Sequence, residues 1–151
     1  MNKVFIKSAV VVIGVAFFFG SGPRAMAFFN VGTGLDSNLN TVAIQSDGKI
    51  LTAGGSDAYR LNSDGTLDAT FNNNLGLASK VVNAIAVQSD GKILLGGVTI
   101  SIGIFNNAEL LRLNSDGTPD ATFNTNLGTG FSSTVETTSV QSDGKILVGG
   151  G

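Results

Sequence analysis

Apolar and polar positions alternate in short blocks that recur along the chain. Ala84 to Val87 is apolar, Gln88-Ser89-Asp90-Gly91-Lys92 is polar, and Ile93 to Leu95 is apolar again. Runs of this length around an Asp-Gly pair predict two strands joined as a hairpin rather than a helix. The same hexapeptide, QSDGKI, starts at Gln45, Gln88 and Gln141, at spacings of 43 and 53 residues. Asp47-Gly48, Asp90-Gly91 and Asp143-Gly144 are each expected in a two-residue type I′ turn, whose positive φ angles Asp-Gly tolerates.

A second block interleaves with the first. YRLNSDGTLDATFN runs from Tyr59 to Asn72 and LRLNSDGTPDATFN from Leu111 to Asn124, 52 residues apart. It predicts a second hairpin turning at Asp64-Gly65 and Asp116-Gly117, entered by Tyr59 to Leu61 and by Leu110 to Leu113. The exit is weaker, because Leu67 in one copy is Pro119 in the other, and proline within a strand belongs at a sheet edge. Two hairpins per unit predict a four-stranded antiparallel sheet of about 40 to 50 residues, the size of a propeller blade. Phe29-Asn30 matches Phe71-Asn72 and Phe123-Asn124, so the units run approximately 29–71, 71–123 and 123–151, the last partial.

Within the first strand of each unit, Ile44, Val87 and Val140 alternate with the small residues Ala43, Ala86 and Ser139. A strand covered on both faces, with a neighbouring sheet close on its small side, produces that pattern. The pairs Ala53-Gly54, Gly96-Gly97 and Gly149-Gly150 then predict close backbone approach or a sharp bend.

These motifs, QSDGKIL, the glycine pair and RLNSDGTLDATFN, resemble the delta-60 repeat family of bacterial β-propeller-like proteins. The resemblance implies an all-β propeller fold and an exported bacterial protein, and it brings no general catalytic residues. About two and a half blades are expected, whereas propellers close with roughly four to eight. The chain therefore reads as an incomplete array or fragment, to be completed by further blades in the same chain or by self-association. The distance from glutamine to arginine is 15 residues in the first unit and 24 in the second.

Composition narrows the chemistry. The sequence has no cysteine and no histidine, which removes disulfides, thiolate metal sites and the commonest general base. Its net charge is -2 with scattered cations, so nucleic acid is not expected as a partner. Residues 1–27 read as a secretory signal peptide: Lys3 and Lys7 precede an apolar stretch from Ser8 to Gly20, and Ala25-Met26-Ala27 supplies the small residues of a cleavage site. That stretch is shorter than the roughly 20 residues needed to cross a bilayer, so stable membrane insertion is not expected. Cleavage after Ala27 would leave a propeller-type domain at 28–151, acidic and either secreted or periplasmic.

Three candidate sites deserve weighing. The Asn-Ser-Asp-Gly-Thr turns, with Asp68 or Asp120 beyond them, invite calcium. An EF-hand alignment nevertheless puts Arg60 at the first ligand position and Phe71 where a glutamate belongs, so plain turns are the better reading and no metal or cofactor is expected. The insertion from Val98 to Ala108 offers Ile100, Ile102, Ile104 and Phe105 as a partner surface, although its alternation reads first as a strand packing on the core. Asp36, Asp57, Glu109 and Glu136 break the repeat but are not arranged as an acid and base. The expected function is therefore binding or scaffolding, with an unknown protein or saccharide ligand. A catalytic propeller with its active site on other blades, or a calcium-stabilised surface protein, would be the alternatives.

Overall fold

The computed structural model describes residues 39–55, 57–75, 81–102, 105–127, 130–131 and 133–151. The signal-peptide expectation, with Ala25 and Ala27, lies outside them. Three antiparallel sheets follow one another along the chain. The first contains β1 (Thr41–Ile44), β2 (Ile50–Gly54) and β3 (Asp57–Leu61), in that order. After the helix α1 (Ala69–Leu75), the second contains β4 (Val82–Val87), β5 (Ile93–Ile102) and β6 (Phe105–Leu113). The helix α2 (Ala121–Leu127) leads to the third, a hairpin of β7 (Val135–Val140) and β8 (Ile146–Gly150). Among the described residues no sheet closes on itself.

The Asp-Gly hairpins form where expected, but their turns differ from the type I′ expectation. Gln45 N–H donates to the Lys49 carbonyl and Gly48 N–H donates to the Gln45 carbonyl, both at 2.9 Å, so the loop has three residues, Ser46, Asp47 and Gly48. The other four copies share this pattern, with φ between +82° and +93° at Gly48, Gly65, Gly91, Gly117 and Gly144. The aspartate side chain sets the loop length. Its Oδ1 accepts the backbone N–H of the residue just after the glycine, at 2.9 to 3.1 Å in all five turns. That bond favours a turn followed by a left-handed glycine bulge over the tighter two-residue turn.

The expected fourth strand is also corrected. It shrinks to one bridge, Leu61 with Leu67 and Leu113 with Pro119, after which the chain turns into a helix. Asp68 and Asp120 explain the switch, because each caps that helix: Asp68 Oδ1 accepts Phe71 N–H and Asp120 Oδ1 accepts Phe123 N–H, both at 3.2 Å. Phe71 and Leu75 then lie about one turn apart on the helix, and both are buried. Among the described residues, each of the first two units is thus three strands, a turn and a short helix.

The sheets stack face to face. Leu51 and Ala53 of β2 meet Ile85, Ile93 and Leu95 of the second sheet in one core. Leu94, on the opposite face of β5, joins Val135 in a second core flanked by Ala86, Val140 and Val148. β5 is therefore covered on both faces, and Ala43 and Ala86 pack into the layer shared with the next sheet, in keeping with their small size. The glycine pairs mark the closest approach: a Cβ on Gly96 would come within 2.5 Å of Val135 Cγ1, and one on Gly97 would overlap the Val81 carbonyl. The insertion in the second unit simply lengthens a hairpin, pairing Ile100 with Ala108 and Ile102 with Phe105.

The five turn glycines share a backbone conformation but not their surroundings, which separates two substitutions. Gly144→Ala meets nothing within 4 Å and should cost about 1 kcal/mol for its left-handed backbone. Gly117→Ala should cost more, because its Cβ would also lie 2.8 Å from the Phe71 carbonyl and 2.9 Å from the Phe71 ring. Urea unfolding midpoints of the two variants check the order.

Candidate functional site

The conspicuous polar feature of the fold is a network built twice from the same five residue types. Gln45 directly follows β1, the turn delivers Lys49, β3 carries Arg60, and the next turn leads to Asp68 and Phe71 at the start of α1. Asp68 Oδ2 accepts from Lys49 Nζ at 2.8 Å, Arg60 Nε at 2.9 Å and Arg60 Nη2 at 2.8 Å. Arg60 Nη1 approaches Gln45 Oε1 at 3.4 Å, and the guanidinium lies 4.0 Å from the centre of the Phe71 ring. In the second unit Asp120 Oδ2 accepts from Lys92 at 2.6 Å and from Arg112 Nε at 3.0 Å. Arg112 in turn reaches Gln88 at 3.4 Å and lies 4.0 Å from the Phe123 ring centre.

An asparagine one residue beyond the phenylalanine completes each copy. Asn72 Oδ1 accepts Arg60 N–H at 2.8 Å while its Nδ2 donates to the Arg60 carbonyl, and Asn124 treats Arg112 in the same way. The side-chain amide thereby continues the sheet ladder where the fourth strand would have been.

Burial alone would raise the pKa of Asp68, but the Lys49 ammonium, the Phe71 N–H and Arg60 outweigh it and lower the value from 3.8 to about 2. Asp120 is lowered to about 2 chiefly by its hydrogen bond from Lys92, against burial and with help from Phe123 N–H and Arg112. Both carboxylates are therefore held ionised and fully occupied. The lone pairs that a calcium site would need at Asp68 and Asp120 are directed at cations and backbone donors instead.

One arm of the network crosses to the next unit. Arg60 Nη1 donates to the Ser115 carbonyl at 2.5 Å, and Asn74 Nδ2 donates to the Asp116 carbonyl at 2.9 Å. A cleft of about 350 Å³ opens at this seam, lined among others by Gln45, Asp47, Lys49, Arg60, Ser115 and Asp116. Its cations face Asp68 as well as the cleft aspartates, so charge of both signs is balanced there. It is a joint between units, lined mainly by polar and charged side chains.

The remaining expected site residues are dispersed. Asp47, Gly91 and Asp116 line the cleft, whereas Asp143 and Gly144 stand exposed at the third unit. Ile100 is fully buried in the core, so it is not available to a partner. Ile104, and the side chains of Ile102 and Phe105, lie outside what the structure describes, as do Asp36 and the side chain of Asp57. Glu109 and Glu136 belong to strands of different sheets, β6 and β7. The network is not evident from the local turns, because its members come from separate turns and strands. Its signal is there: in both units arginine precedes aspartate by eight residues and aspartate precedes phenylalanine by three.

A family model described as a beta-propeller domain of unknown function (DUF5122) matches residues 45–71 and 88–123. Each matched segment runs from the glutamine of the network to its phenylalanine, so the matched unit and the network coincide. With the stacked antiparallel sheets, the match supports a propeller-type repeat family for this chain. Comparison with curated proteins found no match, and comparison with solved structures found none.

Two measurements probe the network. A carboxyl whose pKa is lowered on folding contributes stability above its unfolded value and loses it as pH falls toward its folded value. Stability should therefore decline as pH drops from about 5 toward 2, and Asp120→Asn should flatten that decline in acid titrations followed by circular dichroism. Removing one member of a buried ion pair is costly, so Arg60→Ala should destabilise by about 3 kcal/mol. Arg112→Ala should cost about 1 kcal/mol less, because no carbonyl equivalent to Ser115 receives Arg112 among the described residues. Denaturant titration of the two variants gives the difference.

Proposed function

We propose that this chain is an exported, propeller-type repeat module of the delta-60 kind, acting in binding or scaffolding rather than catalysis. The observation that carries the reading is the occupancy of the network. In both complete units the repeated aspartate, arginine and lysine are engaged with one another, and the aspartate also holds a helix N–H. Groups held in this way stabilise a repeat; they are not poised to transfer protons or attack a substrate. The family match and the stacked sheets support the propeller-type part of the reading, and the leader-like segment 1–27 supports export. The ligand class proposed is a protein or a saccharide at an extracytoplasmic surface or in the medium.

Two results test the proposal together. The native protein, recovered from the extracytoplasmic fraction, should have a mass consistent with a chain starting at Phe28; retention of Met1 in a purely cytoplasmic protein would refute export. Incubated with bacterial and plant polysaccharides, the purified protein should release no reducing ends above a heat-treated control. Turnover in that assay would move the reading to a catalytic propeller.

A further inference from the structure

The cleft between the first two units holds polar groups that the network leaves without partners. Gln45 is 7% exposed and stands in its wall. Arg60 Nη1 donates toward its Oε1, which orients the amide, and no acceptor among the described residues meets its Nε2. A largely buried amide donor without a partner is uncommon in a folded protein, and its cost falls when a ligand accepts from it. The cleft also offers acceptors. Asp47 Oδ1 takes Lys49 N–H, and Asp116 Oδ1 takes the N–H and hydroxyl of Thr118, while Oδ2 of each meets no donor among the described residues. Ser46 and Ser115 add hydroxyls to the same lining.

Charge decides which ligand suits this lining. An anion would have to draw Lys49 and Arg60 away from Asp68, which both already hold, and would lie beside Asp47 and Asp116. A metal ion would lie beside the Lys49 and Arg60 cations, and no group of three metal-ligating side chains gathers among the described residues. A neutral ligand is repelled by neither set. Hydroxyl groups both donate and accept, so one polyhydroxyl ligand can accept from Gln45 Nε2 and donate to Asp47 and Asp116. Val87 adds an aliphatic wall suited to the C–H face of a sugar ring, and a volume of about 350 Å³ lies at the small end of ligand pockets.

We infer that this cleft is a binding site for a neutral saccharide, whose hydroxyl groups pair with Gln45, Asp47 and Asp116. The inference rests on the binding reading above and narrows its ligand to a saccharide. Gln45, Ser46 and Asp47 come from the first unit, and Val87, Ser115 and Asp116 from the second, so the site belongs to the seam and not to a single repeat.

The test titrates the isotope-labelled chain with cellotetraose, maltotetraose, xylotetraose and chitotetraose, and separately with inorganic phosphate and calcium chloride. At least one oligosaccharide should shift the backbone amide resonances of Ser46, Asp47, Ser115 and Asp116 in a saturable way. Asp47→Asn and Asp116→Asn keep the Oδ1 acceptor of their turns and replace Oδ2 by a donor. Each should weaken that binding about tenfold, the loss of one hydrogen bond to a charged acceptor, with the melting transition retained. Asp143→Asn makes the same change in an exposed turn that does not line the cleft, and should leave binding unchanged. A cooperatively melting chain in which no oligosaccharide shifts these amides would overturn the saccharide site and leave the binding reading with a protein ligand. Binding that survives both cleft substitutions, or shifts at these amides with phosphate or calcium alone, would overturn the site too. Release of reducing ends from a bound oligosaccharide would instead overturn the binding reading and keep the saccharide site.

Discussion

Everything in the repeating unit converges on one buried carboxylate. Asp68 in the first unit and Asp120 in the second each hold a lysine from one hairpin, an arginine from another and the first turn of a helix. Without that convergence the lysine and arginine would lose their shared acceptor, and the helix would start with an unpaired backbone donor. An ionised side chain inside a protein is costly unless it is surrounded by donors, and here the surroundings come from three separate elements. The charge therefore does more than join pairs of residues: it specifies how a strand, a turn and a helix meet.

Apolar stacking supplies the rest. Both faces of β5 are covered, by a core shared with the first sheet and another shared with the third, and small residues set the spacing between layers. The polar seam at Arg60 and Ser115 lies beside this stacking, so neighbouring units are aligned by directional bonds while their affinity comes from area. Arrays of repeats draw their stability from such nearest-neighbour interfaces, and the fold has the corresponding layered form.

The architecture was largely legible in the sequence. Period, hairpin positions and the propeller-type class followed from QSDGKI and LNSDGT, because a two-residue alternation around Asp-Gly is local information. The turn length was not legible, since the aspartate's bond to the residue after the glycine decides between two turns that share one dipeptide. The end of the second hairpin was not legible for a similar reason: from sequence alone the carboxylates of Asp68 and Asp120 suit a cation as well as a helix N–H, and the capping bonds to Phe71 and Phe123 decide it. The network is not local information, because Lys49, Arg60 and Asp68 meet through strand register. Ile100 illustrates the opposite case, in which the plain reading of apolar alternation as packing described the side chain correctly.

The longer hairpin of the second unit has a wider consequence. At its base β5 and β6 keep the register of β2 and β3, with Leu94 opposite Arg112 as Leu51 is opposite Arg60. The nine additional residues all fall beyond that base, toward the tip. Length at the tip is thus uncoupled from the joinery at the base, and a unit can grow a longer arm without disturbing its neighbours. Diversity among such units has a natural outlet in these arms, while the base acts as a common socket.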